Sequence, residues 1–148
     1  MAALIHTKTK GNIGETFVLA NLIKEGFTVS IPYGENSRYD FIIETFKGFK
    51  RIQVKYMSKR KDRGCYILPL KSIRANKNNN RIVHYTSEQV DFIIGYCPDN
   101  NSCYIIPMNE INTKNEIHIW VDKEPKGKNQ HKPIDTKFYK NNWKLLNE

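Results

Sequence analysis

An α/β (α+β) domain, with a mixed central β-sheet and one principal helix near the N-terminus, is the fold class that the sequence predicts. Three observations predict it. Residues 16–25 carry apolar side chains at helical spacing and are followed by Gly26, a residue suited to ending a helix. Several short runs rich in β-branched and aromatic residues alternate with turn-forming clusters. The chain has 148 residues, 39% hydrophobic and 26% charged, which suits one core and a single domain spanning 1–148.

The helix is led in by Lys10-Gly11-Asn12-Ile13-Gly14-Glu15. Ile13, Phe17, Ala20 and Leu22/Ile23 form its apolar stripe, and Val18 and Leu19 widen it, so most of the helix should be covered. Asn12 and Glu15 also match a capping box. Extended runs follow at 27–33, 40–46 and 50–56, the last two flanking Phe46-Lys47-Gly48-Phe49 as a hairpin. Residues 65–70 read as a further strand and the polar stretch 71–82 as an exposed loop. Residues 86–89 open a helical turn. A second hairpin, 91–97 with 102–108, surrounds Pro98-Asp99-Asn100-Asn101, and 116–122 is a last strand. The segment 123–148 is basic and ends in a short amphipathic helix containing Phe138, Tyr139 and Trp143, a candidate for DNA contact or for contact with a second copy.

Lys plus Arg is 24 against 15 Asp plus Glu, a formal net charge of +9. That balance favours a polyanionic partner. No apolar run approaches the roughly 18–20 residues that cross a bilayer, and no secretory signal is evident, so neither a membrane nor an oxidising compartment is expected. Cys65, Cys97 and Cys103 are odd in number and fit no zinc spacing. They are expected as free thiols in a cytoplasmic protein, with no small-molecule cofactor.

The first hairpin carries the chemistry. A turn at Lys47-Gly48 sets Asp40 directly across from Lys55, Ile42 from Gln53 and Glu44 from Arg51. Period-2 alternation then gives one face bearing Asp40, Gln53 and Lys55, and an opposite face of Phe41, Ile43, Ile52, Val54 and Tyr56. Phosphodiester hydrolysis needs a divalent cation held by oxygen ligands, beside a group that offsets charge growing on the phosphate. Asp40, the side-chain oxygen of Gln53 and the backbone carbonyl of Val54 supply oxygens. Glu15 is a second carboxylate within reach, and Lys55 is the cationic group.

Glu15, Tyr39-Asp40 and Gln53-Val54-Lys55 together resemble the signature of the PD-(D/E)XK nucleases. The pattern from Lys10-Gly11 to Lys55 is similar to archaeal-type Holliday-junction resolvases. With the segment 32–40, it is closer to the small homing endonucleases encoded in bacterial group I introns. Two positions depart from the common signature: Tyr39 stands for Pro, and Gln53 for an acid. The intron-encoded relatives also carry Gln there. The resemblance implies a restriction-endonuclease-like core, Mg²⁺ (with Mn²⁺ substituting), and Glu15, Asp40, Gln53 and Lys55 as catalytic residues. It further implies a site-specific double-strand break in DNA made by a homodimer or homotetramer. A junction resolvase is the nearest alternative. A non-catalytic DNA-binding protein, with Gln53 marking a decayed site, is another.

DNA contacts are expected from the basic stretch after the second strand of the hairpin, Lys59, Arg60, Lys61 and Arg63, which faces only one acid, Asp62. Ser37, Arg38 and Tyr39 adjoin Asp40, and Lys8 and Lys10 lie near Glu15. These are expected against the DNA backbone.

Overall fold

The computed structural model describes residues 4–62, 64–74, 78, 81–111, 115–121 and 136–148. Its N-terminal helix α1 spans Thr7–Lys24 and starts nine residues before the predicted periodic segment. His6 caps it, with Nδ1 accepting from the Lys8 N–H at 3.2 Å. Asn12 is therefore an interior helical residue rather than a cap, and Glu15 lies in mid-helix. The two glycines at 11 and 14 depress local helix propensity, but packing overrides that preference. The buried stripe also differs from the expected one. Gly14, Val18 and Leu22 face the sheet, whereas Ile13 and Ile23 are exposed. As predicted, Gly26 follows the helix, with φ of 91°.

Among the described residues ten strands follow in chain order: β1 Val29–Ser30, β2 Phe41–Thr45, β3 Gly48–Tyr56, β4 Ser58–Lys59, β5 Tyr66–Pro69, β6 Lys71–Arg74, β7 Arg81–His84, β8 Phe92–Cys97, β9 Ser102–Pro107 and β10 Glu116–Ile119. The central sheet has the order β1-β2-β3-β8-β9. It is antiparallel except at β3 and β8, which run parallel. A parallel pair needs a long crossover. Here the described residues of the connection form β4 and β5, two strands of a three-stranded sheet, and the β6–β7 ribbon. The ribbon occupies part of the stretch expected to be a loop, because its residues pair with each other from Lys71↔His84 to Arg74↔Arg81.

Both faces of the central sheet are covered. Beneath α1 lies one cluster formed by Phe41, Ile43, Ile52 and Val54 with Phe92, Ile94, Val18 and Leu22, the apolar hairpin face expected from alternation. Trp143, Leu145 and Leu146 complete this cluster. The apolar end of the C-terminal segment is thus core, while residues 122–135 lie outside the described residues. On the other face, Ile93, Cys97, Tyr104 and Ile106 pack with Leu68, Ile117 and Ile119 of the β10-β5-β4 sheet. β8 is buried along its whole length, which explains its unbroken apolar run. The three cysteines are free and buried. Burial pushes the Cys103 thiol up to about 12, so it is an inert packing group at neutral pH.

Asp91, just before β8, ties that strand to β3. Its Oδ2 accepts from the Arg51 backbone N–H at 2.7 Å and from Arg51 Nε at 3.0 Å. Burial alone would raise the Asp91 pKa, but hydrogen bonds and charge from Arg51 outweigh it and hold the carboxyl below its ordinary value. A depressed carboxylate stabilises the fold above its unfolded pKa, and that stability is lost as pH falls through the folded value. Asp91→Ala should therefore cost about 1–3 kcal/mol at neutral pH. In urea titrations the deficit relative to wild type should shrink below about pH 4.

Candidate active site

The hairpin turn decides where Asp40 sits. Thr45 pairs with Gly48, which leaves Phe46 and Lys47 as the turn residues. The one left-handed residue at this turn is Gly48, with φ of 102°, and Thr45 Oγ1 braces the turn by accepting from the Lys47 N–H at 3.2 Å. A two-residue primed turn at Lys47-Gly48 would have required positive φ at Lys47, which costs a residue with a Cβ. The glycine instead closes a turn one residue earlier. Phe41 is consequently opposite Ile52, and Ile42 opposite Arg51. Asp40 thus stands across from Gln53, two residues short of Lys55. This corrects the predicted pairing of Asp40 with Lys55, Ile42 with Gln53 and Glu44 with Arg51. A two-residue offset preserves the faces.

β3 continues past the start of β2, and the consequence is an open edge. The Asp40 N–H still donates to Ile52 O at 2.8 Å. The next pair of backbone groups facing that side belongs to Val54. The Val54 N–H is taken by the Asp40 carboxylate, Oδ2 accepting at 2.8 Å. The Val54 carbonyl accepts from Gln53 Nε2 at 3.0 Å. Asp40, Val54 O and the buried Gln53 amide thus meet at one strand edge, with the Gln53 nitrogen rather than its oxygen toward the Val54 carbonyl.

Glu15 reaches this edge through its neighbour. Gly14 lets α1 lie close against the sheet: a Cβ there would stand 3.7 Å from Val54 Cγ1 and 3.8 Å from the Cβ atoms of Tyr56 and Tyr96. Burial, then the negative charge of Asp40, raise the Glu15 pKa. Burial also raises that of Asp40, opposed by the Val54 N–H and the charge of Lys55. Glu15, Asp40 and Lys55 therefore share one electrostatic site. Two half-buried carboxylates that repel each other form a local deficit of positive charge.

Among the described residues, no group of three or more His, Cys, Asp or Glu is arranged to hold a metal. The donor set is two carboxylates and two neutral oxygens. That suits a hard divalent cation that keeps part of its water shell, as Mg²⁺ does, rather than an all-protein cage. The Gln53 amide can present its oxygen by a half-turn about its last bond.

The expected DNA contacts divide. Lys59 and Lys61 are exposed after β3, and Ser37 and Lys8 are exposed near Asp40 and the start of α1. Lys10 Nζ lies 5.8 Å from the centre of the Tyr56 ring. Arg60 pairs with Asp62 at 2.8 Å, an exposed contact that a phosphate can replace. Tyr39 packs against the second core cluster. Arg38 has an internal role, donating to Gln89 Oε1, Ser72 Oγ and His84 O. Arg63 lies outside the described residues. Tyr85 was not singled out by the sequence reading. Its ring lies 4.9 Å from Lys55 Nζ and 4.5 Å from Arg38 Cζ. No local pattern marks a tyrosine 30 residues away as a neighbour of the lysine.

A family model described as PD-(D/E)XK endonuclease matches residues 5–144. No curated protein matches the chain. Among solved structures, the bacterial homing endonuclease I-Ssp6803I is similar over 96% of this chain and 93% of its own, with a TM-score of 0.79 and 27% sequence identity. The restriction-endonuclease-like fold is thereby matched across nearly the whole length. The chain belongs to the PD-(D/E)XK endonuclease family.

Proposed function

We propose that this nuclease is a Mg²⁺-dependent, site-specific DNA endonuclease of the homing type, cutting both strands as a homo-oligomer in the cytoplasm. The observation that carries the reading is the meeting of Asp40, Gln53 and the Val54 backbone at the open edge of β3, where the charges of Glu15 and Lys55 also act. Glu15, Asp40, Gln53 and the Val54 carbonyl would hold the cation. When bound, it would polarise the phosphodiester and lower the pKa of a water. The protein's own contributions are positional. The Val54 N–H fixes one carboxylate oxygen of Asp40, and the rigid strand sets Lys55 beside it, where its ammonium can meet charge developing on the phosphate. Exposed Lys59, Lys61, Lys8 and Ser37 would line the approach of the DNA backbone.

Oligomerisation follows from reaction geometry. One site cuts one strand, and a chain of 148 residues offers little surface for reading a long site alone. Two or more copies on a pseudo-palindromic target solve both problems. The basic segment 123–148 would serve DNA or subunit contact. Likeness to a bacterial homing endonuclease supports a sequence-specific target over a junction recognised by shape.

The test is cleavage of plasmid carrying the intronless allele of the host gene, beside a synthetic four-way junction. With Mg²⁺ or Mn²⁺ the linear site should be cut and the junction left intact. EDTA should abolish cutting. Cutting in EDTA would remove the metal role, and selective cutting of the junction would favour the resolvase.

A further inference from the structure

We propose that Tyr85 is the positioning residue of Lys55: its ring, which meets both the Arg38 guanidinium and the Lys55 ammonium, holds that ammonium at the open edge of β3. The proposal rests on the reading of Lys55 as catalytic. A lysine head on a four-carbon stem explores a wide volume unless something holds it. Among the described residues Lys55 takes part in no ion pair within 4.0 Å. The Tyr85 ring lies 4.9 Å from Nζ to the centroid. A ring attracts a cation through its quadrupole without using up a hydrogen-bond donor. All three ammonium N–H groups stay available for water and phosphate. A carboxylate in the same place would compete with the phosphate for them.

The ring is itself fixed. Tyr85 is half-buried against the second core cluster, and its backbone N–H donates to Leu70 O at 3.2 Å. Arg38 stands on the ring at 4.5 Å and is held by hydrogen bonds of 3.3 Å to Gln89 Oε1, 3.1 Å to Ser72 Oγ and 2.9 Å to His84 O. The start of β6, the end of β7 and the turn before β8 thus converge on one guanidinium. Arg38 in turn lies two residues before Asp40 in the chain, so the same clamp braces the loop that delivers the carboxylate. None of these clamp residues belongs to the nuclease signature.

The experiment compares wild type, Tyr85→Phe, Tyr85→Leu and Lys55→Ala in single-turnover cleavage at saturating DNA, with DNA affinity and melting measured alongside. Tyr85→Phe keeps the ring and should cut within about twofold of wild type. Tyr85→Leu should slow cleavage about tenfold to thirtyfold with DNA affinity unchanged. A wild-type rate in Tyr85→Leu would overturn the proposal. So would an equal loss in Tyr85→Phe, which would assign the effect to the hydroxyl. Lys55→Ala separates the two layers: if it cuts normally, the reading of Lys55 fails, whatever Tyr85 does. A second measurement needs no Tyr85 variant. In the NMR spectrum of wild type, ring current should move the Lys55 ε-methylene protons upfield, assigned by Lys55→Arg; protons at the ordinary lysine position would sink the proposal.

Discussion

Asp40→Asn should abolish DNA cleavage while raising the melting temperature. The loss should be about 10³-fold or more, equivalent to about 4 kcal/mol of barrier. Asparagine at position 40 removes one of the two carboxylates proposed to hold the cation. The gain in stability has a separate cause. Burial raises the Asp40 pKa, and burial with the Asp40 charge raises that of Glu15. A carboxyl with a raised folded pKa binds more protons in the folded state than in the unfolded state. Stability therefore falls as pH climbs from the unfolded value through the folded value, and above that window the full penalty applies. Asparagine keeps an oxygen that can accept the Val54 N–H now taken by Oδ2, at 2.8 Å in the native chain, and removes the charge. Glu15→Gln should act in the same direction. Mg²⁺ should raise the melting temperature of wild type by linkage and leave the Asp40→Asn, Glu15→Gln double variant unmoved. Equal Mg²⁺ stabilisation of the double variant would show that the cation binds elsewhere. Lys55→Ala should cost about 10²–10³-fold in rate, the usual loss for one group aimed at developing charge. These outcomes describe a site that trades stability for chemistry.

Gly14→Leu should be the most damaging change outside the site residues. The helix lies so close to β3 and β8 that a Cβ at position 14 already makes van der Waals contact with Val54, Tyr56 and Tyr96. Gly14→Ala fits these distances and replaces a poor helix former. It should stabilise by about 0.5–1 kcal/mol and preserve activity. Leucine adds three further carbons where β3 and β8 already stand, so α1 must lift away or the strands must move. The overpacking cost is about 1–3 kcal/mol or more. Because Glu15 is the next residue, its carboxylate should move away from Asp40. Cleavage should fall more than stability alone explains, which single-turnover rates measured well below the melting temperature would show. Normal cleavage by Gly14→Leu would mean that Glu15 does not depend on this close approach.

How much was legible in the sequence varied with the range of the interaction involved. Alternation over 40–56 put Phe41, Ile43, Ile52 and Val54 on one face, and that face is the core under α1. Faces depend on parity alone and survive an offset of two residues. Pairing depends on which residue takes the positive φ, and Gly48 took it one residue later than a primed turn would need. The helix boundary was hidden because Gly11 and Gly14 look like breakers, whereas Gly14 serves contact with the sheet. The polar stretch 71–82 concealed β6 and β7, whose pairing leaves Ile73 and Ile82 exposed and so gives no alternating burial signal. The C-terminal Trp143 reads as part of an amphipathic helix offered to DNA or a second copy, whereas it completes the core.

By itself the sequence determined the fold class and the oily hairpin face, and it pointed to Glu15, Asp40, Gln53 and Lys55 as candidate chemistry-bearing residues. Local periodicity and residue chemistry are properties of the chain alone. Only the tertiary structure decided that Asp40 faces Gln53, that the charge of Asp40 acts on Glu15, and that the Tyr85 ring meets both Lys55 and Arg38. Those relations depend on how far α1 can approach the sheet and on where a 35-residue crossover, 57–91, returns. Distances between elements are set by packing, which no single segment encodes.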